Sequence, residues 1–294
     1  MPVKLTLDIF SGRPNPSVVL EGRDAQDILE RLRPARRLEE GEPDLPSEPR
    51  LGYRGILVEL SGEEASFDDL SSKFRVAGAD VFGRGLAHHV GDEDIEQFLT
   101  SPKGPFREAA MEPEIFERLP REIEQFREWR LKWPIEIVWP IWPWTRCPCA
   151  PRYEPAWWNA PSRQPHNNCY NYATNYRTDS FAQPGLAAGQ QYASLSCVDV
   201  LAGAVADSLI DAPSADNACP REGHLVALVV APGWDFHWYR KGRNGRWSHK
   251  PGSTPVTAID NAGQIVIDPR NADRGPYTDF CTFMVVMHGH IKII

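Results

Sequence analysis

No apolar run in the chain approaches the ~18 residues of a membrane span, which excludes a helical membrane anchor as the organising feature. The opening "MPVKLTLDIFSGRPNP" alternates apolar and polar residues and lacks the continuous apolar stretch of a secretory leader, so it reads as a strand and turn. Concentrated positive charge is missing too. Residues 1–133 hold 19 Lys/Arg against 27 Asp/Glu, and residues 134–294 hold 13 of each. An acidic front and a neutral back match neither nucleic acid nor an anionic lipid surface, which excludes both partners. The expectation is a protein made and folded in the cytoplasm, with export by a specialised system as the alternative.

A second cysteine pair at zinc-finger spacing is also lacking. Cys147 and Cys149 are separated by one proline, which is not the C-x-x-C geometry of a metal or redox pair. Neither a metal nor a cofactor is implied. In a chain of this length without an export signal, the six cysteines are expected as free thiols.

Proline and tryptophan are abundant instead. Eight prolines fall between residues 134 and 165, and seven of the ten tryptophans lie between 129 and 158. Proline at that density excludes regular helix or central strand, so the segment is expected as an extended strap. Trp139, Trp142, Trp144, Trp157 and Trp158 are expected to be largely buried, with an aromatic platform for a sugar or peptide as the alternative.

The strap divides an α+β chain into three parts. Residues 1–110 read as a small α+β domain: strands at Val3–Ile9, "YRGILVEL" and "KFRVAGADVF", a helix that Asp24 can cap, and a helix in "GDEDIEQFLTS". His88 and His89 read as solvated loop histidines. Residues 111–165 hold a helix near 121–132 and the strap. Residues 166–294 place helices first, at Cys169 and in "SCVDVLAGAVADSLI", and strands after: "HLVALVV", "DFHWYR", "RWSHK", "GQIVIDP" and "CTFMVVMHGHIKI". His288 and His290 would share a face of the last strand.

"PHNNCYNYATN" places Cys169 behind two asparagines, either of which can cap a helix. A thiol in the first turn of that helix would have its thiolate stabilised by the helix terminus. A nucleophile of this kind needs a base held by a third group. His224 opens the first apolar strand, and His237 lies on the next one after a Pro-Gly turn, which would bring the two rings to about 5 Å across the pair. A rival assignment makes His237 the base, oriented by Asp260, Asp268 or His249.

Cysteine at a helix start, histidine opening the first strand and a polar residue on the second resemble the layout of papain-like hydrolases, and most of all the NlpC/P60 branch and its CHAP relatives. The resemblance covers roughly residues 150 to 294. It implies a papain-like C-terminal fold with Cys169 as nucleophile, His224 as base and His237 as orienting residue; Gln164, five residues before the cysteine, would be the oxyanion partner. It further implies a bacterial thiol hydrolase acting on a peptide-like amide, such as a cell-wall stem peptide, or an antibacterial effector. Asn-Asn-Cys-Tyr departs from the usual Asp-Cys-Ser or Gln-Cys surroundings. The competing class is a non-enzymatic binding or interaction protein on a degenerate hydrolase fold.

Overall fold

The computed structural model describes residues 1–33, 36–37, 49–61, 72–83, 86–90, 94–107, 112–132 and 146–294. The protein is α+β, with two sheets that belong to two compact units. The first unit comprises Met1–Ile9, Asn15–Glu48 and Tyr53–Trp133. The second comprises Phe10–Pro14, Pro49–Gly52 and Pro134–Ile294, so two short stretches near the N-terminus count with the C-terminal unit.

In the first unit the strands are β1 (Val3–Leu7), β2 (Ser17–Leu20), β3 (Arg36–Arg37), β4 (Ile56–Leu60), β5 (Lys73–Ala77), β6 (Asp80–Gly83) and β7 (Leu86–His89). They form one antiparallel sheet in the order β2-β1-β4-β5-β6-β7-β3. "KFRVAGADVF" is two strands, because Gly78 takes φ +67° and turns the chain between them. His89 ends a strand and its Nδ1 lies 2.8 Å from Asp80, rather than being a loop residue. Helix α1 (Gly22–Arg31) starts ahead of Asp24, which sits in the first turn and not at the cap. Helix α2 (Ile95–Thr100) is capped by Asp94, and helix α3 (Pro113–Lys132) begins a full two turns before the expected residue 121. Its inner charge is paired: buried Asp8 binds Arg54 at 2.7 Å and Arg75 at 2.9 Å, which holds its carboxyl well below the usual range against the opposing pull of burial.

The second unit is built on β9 (His224–Ala231), whose eight residues are all buried. It is flanked by β10 (Asp235–Lys241) and β12 (Asp279–Val286), with β11 (Trp247–His249) and β8 (Ile210–Asp211) at the edges. Helix α4 (Pro155–Trp158) lies in the expected strap, where Pro155 fits the first helical position and starts a helical turn instead of preventing one. Helices α5 (Cys169–Thr174) and α6 (Cys197–Ala206) contribute to one core with the sheet. Cys169, Tyr170, Ala173, Val200 and Ala204 meet Val226, Leu228, Val230, Phe236, Trp238 and Met284 there. Each large aliphatic side chain buried in this core stabilises by about 1.5–3 kcal/mol before ordering costs.

One expected strand is absent from this unit and another is shorter than expected. "GQIVIDP" forms only a bridge between Ile259 and Ile265, and β12 stops at Val286. Gly289 takes φ +79° in the turn that follows, so His288 and His290 lie beyond the strand and share no strand face. Trp139, Trp142 and Trp144 lie outside the described residues. Trp158 is buried, with its ring edge-on to Tyr172 at 5.3 Å, whereas Trp157 is 42% exposed.

The free-thiol expectation is corrected. Cys147 is bonded to Cys219 and Cys197 to Cys281, leaving Cys149 exposed and Cys169 buried as free thiols. Sequence spacing gave no sign of the pairings, because they join residues 72 and 84 positions apart that only the tertiary fold brings together.

Candidate functional site

The start of α5 is built as the sequence suggests. Asn168 is the cap: its side-chain oxygen accepts from Tyr170 N–H at 3.0 Å and Asn171 N–H at 3.1 Å, and Asn171 Oδ1 accepts from Asn168 N–H in return. This reciprocal box occupies the N–H groups of Asn168, Tyr170 and Asn171, in a helix of only six residues. Neither those N–H groups nor a long helix dipole is then available to a thiolate at Cys169.

Cys169 is fully buried. Its thiol points to the Phe236 carbonyl at 3.9 Å, with the Ser11 side chain beside it. Burial pushes the thiol pKa far up, and the Asp235 charge adds to the rise; the Trp238 backbone, Ser11 and the Lys250 charge pull the other way without reversing it. Cys169 is therefore a protonated core thiol at neutral pH.

The register of β9 and β10 separates the two histidines that the hairpin was expected to juxtapose. The turn sets Ala231 opposite Asp235, which places His237 opposite Val229 and not His224. His224 lies at the far end of β9, opposite Val286, and donates its Nε2–H to the Ala173 carbonyl at 2.7 Å. Its Nδ1 has no hydrogen-bond partner, and burial lowers its pKa to about 3. The structure thus attaches His224 to the last turn of α5 instead of to the thiol. Gln164 is not aimed at an oxyanion position either; its side-chain amide donates to the Ser253 carbonyl at 3.3 Å.

What the fold does bring together is a row of polar side chains that ends at the thiol. His249 Nε2 lies 2.8 Å from the Ile259 carbonyl, which can only accept, so that nitrogen carries a proton and Nδ1 is the free acceptor. His237 Nε2, 2.9 Å from His249 Nδ1, must therefore donate. His237 Nδ1 is left as an acceptor, and the Ser11 hydroxyl at 2.6 Å supplies its proton. Ser11 Oγ in turn accepts from Gly252 N–H at 3.2 Å. Of the partners proposed for His237, the structure selects His249 over Asp260 and Asp268.

Ser11 is held in place from several sides. Buried Asp235 accepts three consecutive backbone N–H groups, from Ser11 (2.5 Å), Gly12 (3.2 Å) and Arg13 (3.1 Å), together with the Tyr277 hydroxyl (2.6 Å). Burial still raises the Asp235 pKa, with those donors opposing. Asn168 and Gln183 donate their side-chain amides to the Gly12 carbonyl at 2.7 and 2.9 Å. Any Cβ on Gly12 would come within 2.6 Å of the Phe236 ring and carbonyl, so only glycine permits this approach. Lys250, also buried, donates to the Gln164 and Gly252 carbonyls at 2.7 and 2.6 Å. Ser11, Asp235 and Lys250 were not legible as site residues, because Ser11 sits in what reads only as a polar turn, more than 150 positions from its partners. Among the described residues no group of three acidic, cysteine or histidine side chains is placed to hold a metal ion.

No family model matches the chain, and no solved structure matches it. A curated protein named insoluble matrix shell protein 1, from Ruditapes philippinarum, is 46% identical over 140 residues, which is 47% of this chain and 91% of the relative. That mollusc protein overturns two expectations: the bacterial hydrolase setting, and a cytoplasmic location, since its name assigns it to a shell matrix.

Proposed function

The chain belongs to the family of insoluble matrix shell protein 1, and from that premise we propose that it is a non-enzymatic interaction protein of an extracellular matrix. The observation that carries this reading is Ser11, which stands between the Cys169 thiol and His237. A thiol hydrolase needs a base in contact with its thiol and a path for substrate. Here all three residues are buried, and Gly12 beside Ser11 packs directly against Phe236, whose carbonyl the thiol faces. The parts of a nucleophile, a base and an orienting group act as a clasp that fastens residues 10–14 to the sheet.

Two disulfides favour an oxidising compartment, because bridges of this kind persist outside the cytosol and are reduced within it. A buried polar network in which each hydrogen bond has a defined direction stiffens the fold, and that suits a scaffold better than a catalyst that must open.

The test is co-sedimentation of the purified, disulfide-intact chain with the acid-insoluble residue of decalcified mollusc shell. Retention of the protein and of Cys169→Ala to the same extent is the expected result. A chain that stays in the supernatant, or peptide-amide cleavage that Cys169→Ala abolishes, would overturn the reading.

A further inference from the structure

Three of the six cysteines form a separate group away from the clasp. Cys147 and Cys149 flank Pro148 in a turn closed by Ala150 N–H on the Cys147 carbonyl at 3.0 Å. That turn is pinned to the loop between β10 and β11: Cys147 N–H donates to the Arg243 carbonyl, and Arg243 Nε to the Ala150 carbonyl. Cys219, the bridge partner of Cys147, comes from the loop between β8 and β9. The Cys149 thiol points toward that same loop and donates to the Arg221 carbonyl at 3.4 Å, two residues beyond Cys219. The free, exposed Cys149 thiol therefore rests on the loop that supplies one end of the disulfide.

The two ends of the bridge differ in access. Cys147 is 3% exposed, whereas Cys219 is only half-buried, so Cys219 is the sulfur that an incoming thiolate can reach. Exchange proceeds by in-line attack of a thiolate on one disulfide sulfur, and its rate depends on access.

We propose that Cys149 is an exchange site through which copies of this chain join covalently to one another. The Cys149 thiol of one copy loses its proton to solvent, and the thiolate attacks Cys219 Sγ of a second copy. A Cys149–Cys219 bond forms between the chains, the Cys147–Cys219 bond of the second copy breaks, and the electron pair leaves on Cys147 Sγ, which takes up a proton. One thiol is consumed and one is produced, so no oxidant is needed. Each copy carries one attacking thiol and one acceptor disulfide, which makes the contact head-to-tail and open-ended. The second copy is favoured as partner because each chain already carries both reacting groups. The inference stands apart from the matrix reading, since it concerns the purified chain in solution.

The experiment mixes isotopically light and heavy copies of the full oxidised chain under argon at mildly alkaline pH, quenches with acid, and separates the products without reductant. A ladder of dimers and larger species is expected, with mixed light–heavy Cys149–Cys219 peptides and free thiols constant at the starting two per chain. Cys149→Ser, or wild-type protein alkylated at Cys149 in the native state, gives no ladder; the alkylated sample serves if the variant misfolds. The proposal is overturned if the wild type stays monomeric, if Cys149–Cys219 peptides arise only within one copy, or if the junction is Cys149–Cys149 with loss of thiols.

Discussion

Ser11 Oγ lies 2.6 Å from His237 Nδ1, and the direction of that hydrogen bond is fixed from the other end of the row. The Ile259 carbonyl forces the His249 tautomer, His249 forces that of His237, and His237 then requires the Ser11 proton. A loop near the N-terminus is thus tied into the C-terminal sheet by a hydroxyl with a defined proton position.

Ser11→Ala removes the donor to His237 Nδ1 and the acceptor for Gly252 N–H, so two buried hydrogen bonds are lost. Each such hydrogen bond contributes about 0.5–1.5 kcal/mol, so the pair is worth about 1–3 kcal/mol. Urea unfolding is expected to show a loss in that range or above; a loss under about 0.5 kcal/mol, typical of a neutral surface change, contradicts the clasp.

Gly12→Ala places a methyl against the Phe236 ring and carbonyl. Overpacking of this kind costs about 1–3 kcal/mol, and here it also lifts Ser11 off the thiol. The expected outcome is lower stability together with faster labelling of Cys169 than in the wild type. Unchanged stability and labelling would show that the loop is not seated as described.

His224 has its pKa lowered from 6.5 to about 3, by burial first, with the charges of Arg240 and His288 acting the same way. The unfolded chain takes up this proton more readily, so the contribution is complete above pH 6.5, falls through the window between 6.5 and about 3, and is lost below it. His224→Gln keeps an amide to donate to Ala173 and removes the titration. Between about pH 7 and about pH 4.5 the variant should lose roughly 2 kcal/mol less stability than the wild type. Parallel pH profiles would contradict the burial of a neutral ring.

Element order in the second unit was legible because its signals are local: the Asn-Asn cap before Cys169 and the apolar run of β9. The register of β9 on β10 was not, since the turn residues alone do not say that Ala231 faces Asp235, and that single setting removes His224 from His237. His249 was visible only as one of three partners for His237. Ser11 and Asp235 were invisible, because contacts over more than 220 positions leave no periodicity to read.

The Cys197–Cys281 bridge fastens α6 to β12 and closes a loop of 84 residues. Replacing both cysteines by serine should cost about 2–5 kcal/mol. Denaturation of this variant beside the wild type measures it; equal midpoints would mean that the bridge adds nothing to the folded unit.

The claim that Cys169 is a clasped core thiol is tested most directly by pulse alkylation of the native protein with iodoacetamide at neutral pH, followed by peptide mapping. Cys149 should be modified within the pulse, while Cys169 stays unmodified until the chain is unfolded. Labelling of native Cys169 as fast as that of Cys149, or faster, would contradict the account and return the site to the reactive nucleophiles.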